Sequence, residues 1–175
     1  MADSAADRDA LYKQAAAEFS GAIDRLARAY EPDPDKRRDL VQDIHVALWR
    51  SLAQFAGRAS MRTWVYRVAH NTAISRITRR RANSPTFVTL DELAEPAAAE
   101  DATHAVDRRI ALERLLVLIQ SLDPLDRQVI LLYLEEVDAQ SIAAIVGLSP
   151  GNVATKVHRI KQILARRFHG APHDA

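Results

Sequence analysis

Asn152, Thr155, Lys156, Arg159 and Lys161 lie in one short stretch and offer amide, hydroxyl, ammonium and guanidinium groups. Such groups suit phosphate oxygens and the exposed edges of base pairs. A second set, Arg62, Trp64, Tyr66, Arg67, His70, Asn71, Ser75 and Arg79, mixes aromatic rings with guanidiniums. Rings of this kind are stacking platforms for unstacked bases, while guanidiniums track a backbone. Taken singly, Trp64 and Tyr66 read equally well as core residues. A third set, Asp39, Gln42 and Asp43, makes an acidic patch near the start of a helix, and alone it would only complement the helix dipole. No catalytic constellation accompanies them. His45, His70, His104, His158, His169 and His173 are scattered, and the last two sit in a tail with Gly170 and Pro172 that would hold a metal poorly. Glycine-rich phosphate loops and GxSxG elbows are absent. The expectation is a protein that is not an enzyme and uses no cofactor and no metal.

The elements that must position these groups read as helices. Ile142, Ala143, Ile145 and Val146 give a short helix an apolar face, and Gly147 stands where a left-handed residue ends a helix. Ser149 can cap the next helix with Pro150 in its first turn, and Val153, Val157, Ile160 and Leu164 form a buried stripe. The pair is a helix-turn-helix, whose second helix enters the major groove. A helical hairpin with a solvated basic face is the plainer alternative. Upstream, Leu11, Ala15, Phe19, Ala22, Ile23 and Leu26 have helical spacing up to Tyr30. Asp33 and Pro34 can start a second helix, with Leu40, Val41, Ile44, Ala47, Leu48 and Leu52 as its apolar face. Ser60 can cap a third, from Met61 to about Arg81. In that helix Trp64, Val65, Val68, Ala69, Thr72 and Ile77 lie near one face, and Arg62, Tyr66, Arg67, His70, Asn71, Ser75 and Arg79 project elsewhere.

The formal net charge of +1 conceals segregation. Arg50 to Asn83 holds eight basic residues and no acid; Ser84 to Asp107 holds six acids and no base; Ala139 to Phe168 holds five bases and no acid. Two basic blocks across an acidic segment suggest two nucleic-acid contacts. The acidic segment reads as a tether, so the expected architecture is all-α: two small helical domains, residues 1–83 and 108–170, joined by an acidic flexible linker, 84–107. Two tethered domains should also change relative orientation when no partner holds them. With no cysteine there is neither a disulfide nor cysteine-ligated zinc. No apolar run approaches the roughly 20 residues of a membrane span, and the polar start has no signal-peptide core, so a cytoplasmic protein without membrane insertion is expected.

The segments DLVQDIHVALWRSL (Asp39–Leu52) and FAGRASMRTWVYRVAHNTAISRITRRR (Phe55–Arg81) together resemble regions 2.1 to 2.4 of extracytoplasmic-function sigma factors. LIQSLDPLDRQVILLYLEE (Leu118–Glu136), with the helix-turn-helix after it, resembles their region 4. The resemblance implies a bacterial subunit that binds core RNA polymerase and directs it to particular promoters. Asp39, Leu40, Gln42, Asp43 and Trp49 would belong to the polymerase interface or its support. The loop Gly57, Arg58, Ala59, Ser60 and Met61 would capture a flipped base of the melted minus-ten element. Arg62, Trp64, Tyr66, Arg67, His70, Asn71, Ser75 and Arg79 would track the rest of that single strand. Asn152, Thr155, Lys156 and Arg159, with Ser149 at the helix start, would read the minus-thirty-five element as duplex. An anti-sigma protein is a further implied partner.

The chain departs from the family pattern at several places. His70 stands where arginine usually precedes the asparagine, and Lys156 stands where arginine is common. Asn152 replaces a usual threonine, and Glu136-Val137-Asp138-Ala139-Gln140-Ser141 replaces Gly-Leu-Ser-Tyr-Glu-Glu. Two other readings compete. A polymerase-independent helix-turn-helix regulator would explain the C-terminal half but leave the Arg50–Asn83 block unused. A helical adaptor would use its basic faces on an acidic protein.

Overall fold

The computed structural model describes residues 2–83 and 104–169, and every regular element among them is helical. In chain order these are α1 (Ala2–Tyr30), α2 (Pro34–Ser51), α3 (Met61–Asn83), α4 (His104–Gln120), α5 (Pro124–Leu134), α6 (Ala139–Val146) and α7 (Pro150–His169), with one 3-10 turn at Leu52–Gln54. The all-α expectation holds. Of the segment expected as linker, residues 84–103 lie outside the described residues, whereas 104–107 already belong to α4.

Helices α1, α2 and α3 pack on one another because each carries an apolar stripe that no single neighbour could cover. Phe19, Ile23 and Leu26 of α1 meet Leu40, Ile44 and Leu48 of α2 and Val65, Ala69 and Ala73 of α3 in the core. Asp33 starts α2 as the Asp-Pro pair requires: its carboxylate accepts from the Asp35 and Lys36 amides at 2.9 and 3.3 Å. Ser60 does the same for α3, accepting from the Thr63 amide at 3.1 Å.

Helices α4 to α7 pack together in turn and continue the same core, with Val153, Val157, Ile160 and Leu164 of α7 all buried as the stripe predicts. Asp138 caps α6, Gly147 ends it at φ 76°, and Ser149 caps α7 by accepting from the Asn152 amide at 3.3 Å. The connection from α5 to α6 turns through Glu136 at φ 57°. Glycine usually occupies this place in the family pattern, so the turn keeps a left-handed conformation that its glutamate tolerates less readily.

One buried polar pair corrects the sequence reading of α3. His70, expected to project outward, is 1% exposed, with its Nδ1 2.9 Å from the Tyr30 hydroxyl. Tyr66 is buried as well, edge-on to Phe19. Helix α3 is covered by both α1 and α2, so its buried arc is wider than one apolar stripe and takes in polar rings whose ends find partners. Burial keeps the Tyr30 phenol protonated, and its hydroxyl shares a hydrogen bond with the imidazole Nδ1. The same burial lowers the His70 pKa from 6.5 to about 3. The unfolded chain therefore takes up a proton below pH 6.5 that the folded chain refuses until about 3. Stability is complete above the upper value and falls as pH drops through this window, by about 1.4 kcal/mol per pH unit at most. His70→Asn, which keeps an acceptor for Tyr30, should lose this part of the acid slope. Urea midpoints at pH 4 to 6 that run parallel in the two proteins would contradict it.

Candidate nucleic-acid interface

Helix α3 presents its polar groups in one line. Arg67, Asn71, Ser75 and Arg79 recur every four residues, so they stack along a single face. Asn71, Ser75 and Arg79 are exposed, and with Asp43, Thr72, Arg76 and Arg80 they line a groove between α2 and α3. The loop before α3 is open at Gly57 (φ 68°), Arg58 and Ser60, with Ala59 half-buried and Met61 packed on the core. Trp64 is partly buried: its indole donates to Ser51 Oγ at 3.0 Å and its ring meets Phe55 edge-on. Tyr66 and His70 are buried in this arrangement, the Tyr66 hydroxyl against Glu135 and the His70 imidazole against Tyr30.

The acidic patch on α2 is built as expected but is not unpartnered. Asp39, Gln42 and Asp43 are exposed. Arg76 of α3 reaches both acids, at 2.5 Å from Asp43 and 3.4 Å from Asp39. Leu40 is a core residue, 2% exposed, so it supports the patch from below rather than touching a partner. Trp49 is occupied from α1: its indole donates to Asp9 at 2.8 Å, and the Arg8 guanidinium lies 3.7 Å from the ring centroid.

On α7, Ser149, Asn152, Thr155 and Arg159 are exposed and Lys156 is half-buried. Thr155 donates its hydroxyl to the Gly151 carbonyl at 3.0 Å. Lys156 and Arg159 both contact Asp126 of α5. Asp126 gave no signal in the sequence, because its partners lie 30 and 33 positions away.

The largest difference from the two-domain expectation is that the halves touch. Glu135, at the end of α5, accepts from Arg25 through both carboxylate oxygens at 2.6 and 2.7 Å and from the Tyr66 hydroxyl at 3.0 Å. Its backbone carbonyl accepts from Arg62. Arg67 donates to the Ala144 carbonyl of α6 at 3.0 Å, and Gln120 donates to the Arg28 carbonyl at 3.1 Å. The Arg127 guanidinium lies 5.5 Å from the Tyr30 ring. The Arg25 hydrogen bond holds the Glu135 carboxyl below its usual range despite the opposing effect of burial, and the Tyr66 hydrogen bond adds to it. The Tyr66 phenol is correspondingly pushed up to about 12, by burial first and by Glu135 second. In this arrangement α5 and α6 cover the first turns of the α3 face.

Comparison with known proteins agrees with both halves. Sigma-70 region 2 matches residues 16–83, and Sigma-70, region 4 matches residues 112–164. The RNA polymerase sigma factor YlaC of Bacillus subtilis is 29% identical over 132 residues, covering 75% of this chain and 76% of YlaC. The ECF RNA polymerase sigma factor SigG of Mycobacterium tuberculosis is 36% identical over 115 residues. That match takes in 64% of this chain but only 29% of the longer SigG. In fold, the chain is similar to the sigma factor RpoE of Bartonella quintana, solved in complex with the anti-sigma factor NepR. The TM-score is 0.69 at 20% identity, covering 93% of this chain and 98% of that one. With both regions matched in order, an all-helical fold and relatives of one kind, the chain belongs to the extracytoplasmic-function sigma factors.

Proposed function

We propose that this protein is an alternative sigma factor that binds core RNA polymerase and directs promoter-specific initiation, with the two halves reading two promoter elements in different states. The observation that carries this reading is the coexistence in one chain of a polar line on α3 and a capped helix-turn-helix, beside an acidic patch on α2. Residues 1–83 form the unit that docks on polymerase and holds the melted minus-ten strand. Residues 108–170 form the unit that reads the minus-thirty-five duplex, with 84–107 between them. Asp39, Gln42 and Asp43 face a basic surface of the polymerase. Gly57, Arg58 and Ser60 with Arg62, Arg67, Asn71, Ser75 and Arg79 meet the single strand, and Asn152, Thr155, Lys156 and Arg159 meet the duplex.

The protein catalyses no reaction itself, the chemistry being the polymerase's. It works in the cytoplasm, and among the described residues no helix is long and apolar enough to cross a membrane. An anti-sigma protein holds it inactive, as NepR accompanies the Bartonella protein. A stand-alone regulator would leave both the α2 acids and the α3 line without a task.

The division of labour is testable with polymerase-bound protein. Arg159→Ala should weaken binding to closed promoter duplex by roughly 10-fold or more, the loss of one charged base or phosphate contact. Arg62→Ala and Arg79→Ala should leave that binding nearly intact and slow strand opening, read by permanganate reactivity of unpaired thymines. Equal loss of duplex binding in all three, with opening unchanged, would overturn the assignment.

A further inference from the structure

Asp126 is an unusual residue for the place it occupies. It lies in the first turn of α5, outside the helix-turn-helix, and is 7% exposed. A first-turn aspartate is ordinarily a surface residue that complements the helix dipole. Here both carboxylate oxygens turn instead toward α7: one takes the Lys156 ammonium, and the other takes Arg159 Nη2 at 2.8 Å. The two cations it holds are the ones assigned to duplex reading.

The arrangement treats the two cations differently. Lys156 is drawn in, with its side chain 24% exposed, whereas the Arg159 side chain remains 58% exposed. A guanidinium has five N–H donors in a rigid fork. The carboxylate engages one nitrogen, Nη2, of a side chain that stays 58% exposed, so donors of the fork remain for a further acceptor. A fork already fixed by a carboxylate loses less freedom when it meets a base edge, and it meets that edge in one orientation. A lysine paired with a shielded carboxylate, in turn, releases fewer counterions from a phosphate than a free one would.

We infer that Asp126 is a positioning residue for promoter discrimination: from α5 it orients the Arg159 fork for one base pair and weakens the contact Lys156 makes with the phosphate backbone. The inference rests on the reading of α7 as the duplex-reading helix. It makes Asp126 a device for selectivity at the expense of raw affinity, because a negative charge beside the groove disfavours the polyanion as a whole.

The test uses the full chain bound to core polymerase and a duplex library randomised over the minus-thirty-five block. Wild type, Arg159→Ala, Asp126→Asn, Asp126→Glu and the double variant Asp126→Asn/Arg159→Ala are compared by base enrichment and by the salt dependence of binding. Asp126→Asn should lower discrimination at the base pair governed by Arg159 by roughly 10-fold and strengthen binding to unrelated duplex. Its log–log salt slope should steepen by about one, as Lys156 becomes free to meet a phosphate. Asp126→Glu keeps the charge but lengthens the arm, so it should alter discrimination at the same base pair without changing the slope. A role in folding alone would weaken all sequences equally, and that loss would persist in the Arg159→Ala background. Under positioning, the discrimination effect of Asp126→Asn disappears there. If Arg159→Ala alters enrichment while both Asp126 variants keep the wild-type matrix and slope, the inference is wrong. If Arg159→Ala leaves enrichment untouched, the reading of α7 itself falls, and the inference with it.

Discussion

Reversing Asp39 and Asp43 to lysine should reduce affinity for core RNA polymerase on the order of 100-fold, as expected when charged contacts across an interface are replaced by like-charge repulsion. Both acids are exposed on α2, and among the described residues their partner is Arg76. That pairing sharpens the expectation. In the free protein Arg76 neutralises the patch, so a basic surface on the polymerase must compete with one guanidinium for two carboxylates. The competition is affordable because both acids remain more than half exposed, where screening keeps such pairs weak. Arg76→Ala should consequently bind polymerase at least as well as wild type, while the double reversal fails. Co-elution on a sizing column, with circular dichroism to verify the helices, reads both. Wild-type polymerase affinity in a folded double reversal would remove α2 from the interface.

Glu135→Lys should open the contact between the two halves. The substitution turns one acceptor shared by Arg25 and Tyr66 into a cation facing Arg25 and Arg62. Arg25 is largely exposed, so its pair contributes about 1 kcal/mol at most. The reversal adds repulsion and strands the Tyr66 hydroxyl, which is why its effect should exceed that of Glu135→Ala. Small-angle scattering should show the radius of gyration rising from the roughly 16 Å of a compact chain of this length toward roughly 20 Å. Because α5 and α6 cover the start of the α3 face, the opened protein should also bind a minus-ten single strand more tightly, by roughly 10-fold, the worth of one or two restored contacts. A variant as compact as wild type, or one that opens without gaining strand affinity, would refute this.

The pH dependence of that contact follows from the same carboxylate. Hydrogen bonds from Arg25 and Tyr66 lower its pKa, so the contact is complete above the ordinary value of 4.5 and weakens as pH falls through the lowered one. The halves should therefore be closed at neutral pH and loosen only in acid.

Much of the molecule was legible before any coordinates. Caps at Asp33, Ser60 and Ser149, the left-handed Gly147 and the buried stripe of α7 are local devices, written within three or four residues of where they act. Charge segregation located the basic segments for the same reason, since composition needs no fold. Helix α3 was legible as a helix but not in its facing. A helix sandwiched between two others buries a wide arc, and the polar ring of His70 within that arc resembles a surface residue in a one-dimensional pattern.

What the sequence determined alone is therefore helices α1, α2, α3, α6 and α7, most of their caps, and the identity of the family to which the chain belongs. Tertiary structure decided which charges are free to act. Arg76 binds the α2 acids 33 and 37 positions away, Asp126 restrains Lys156 and Arg159, and Glu135 joins the halves across 110 positions. An ion pair depends on separations of a few ångströms between side chains that chain order does not bring together. Only the packed helices set those distances, and with them which basic groups stand ready for nucleic acid and which are already held.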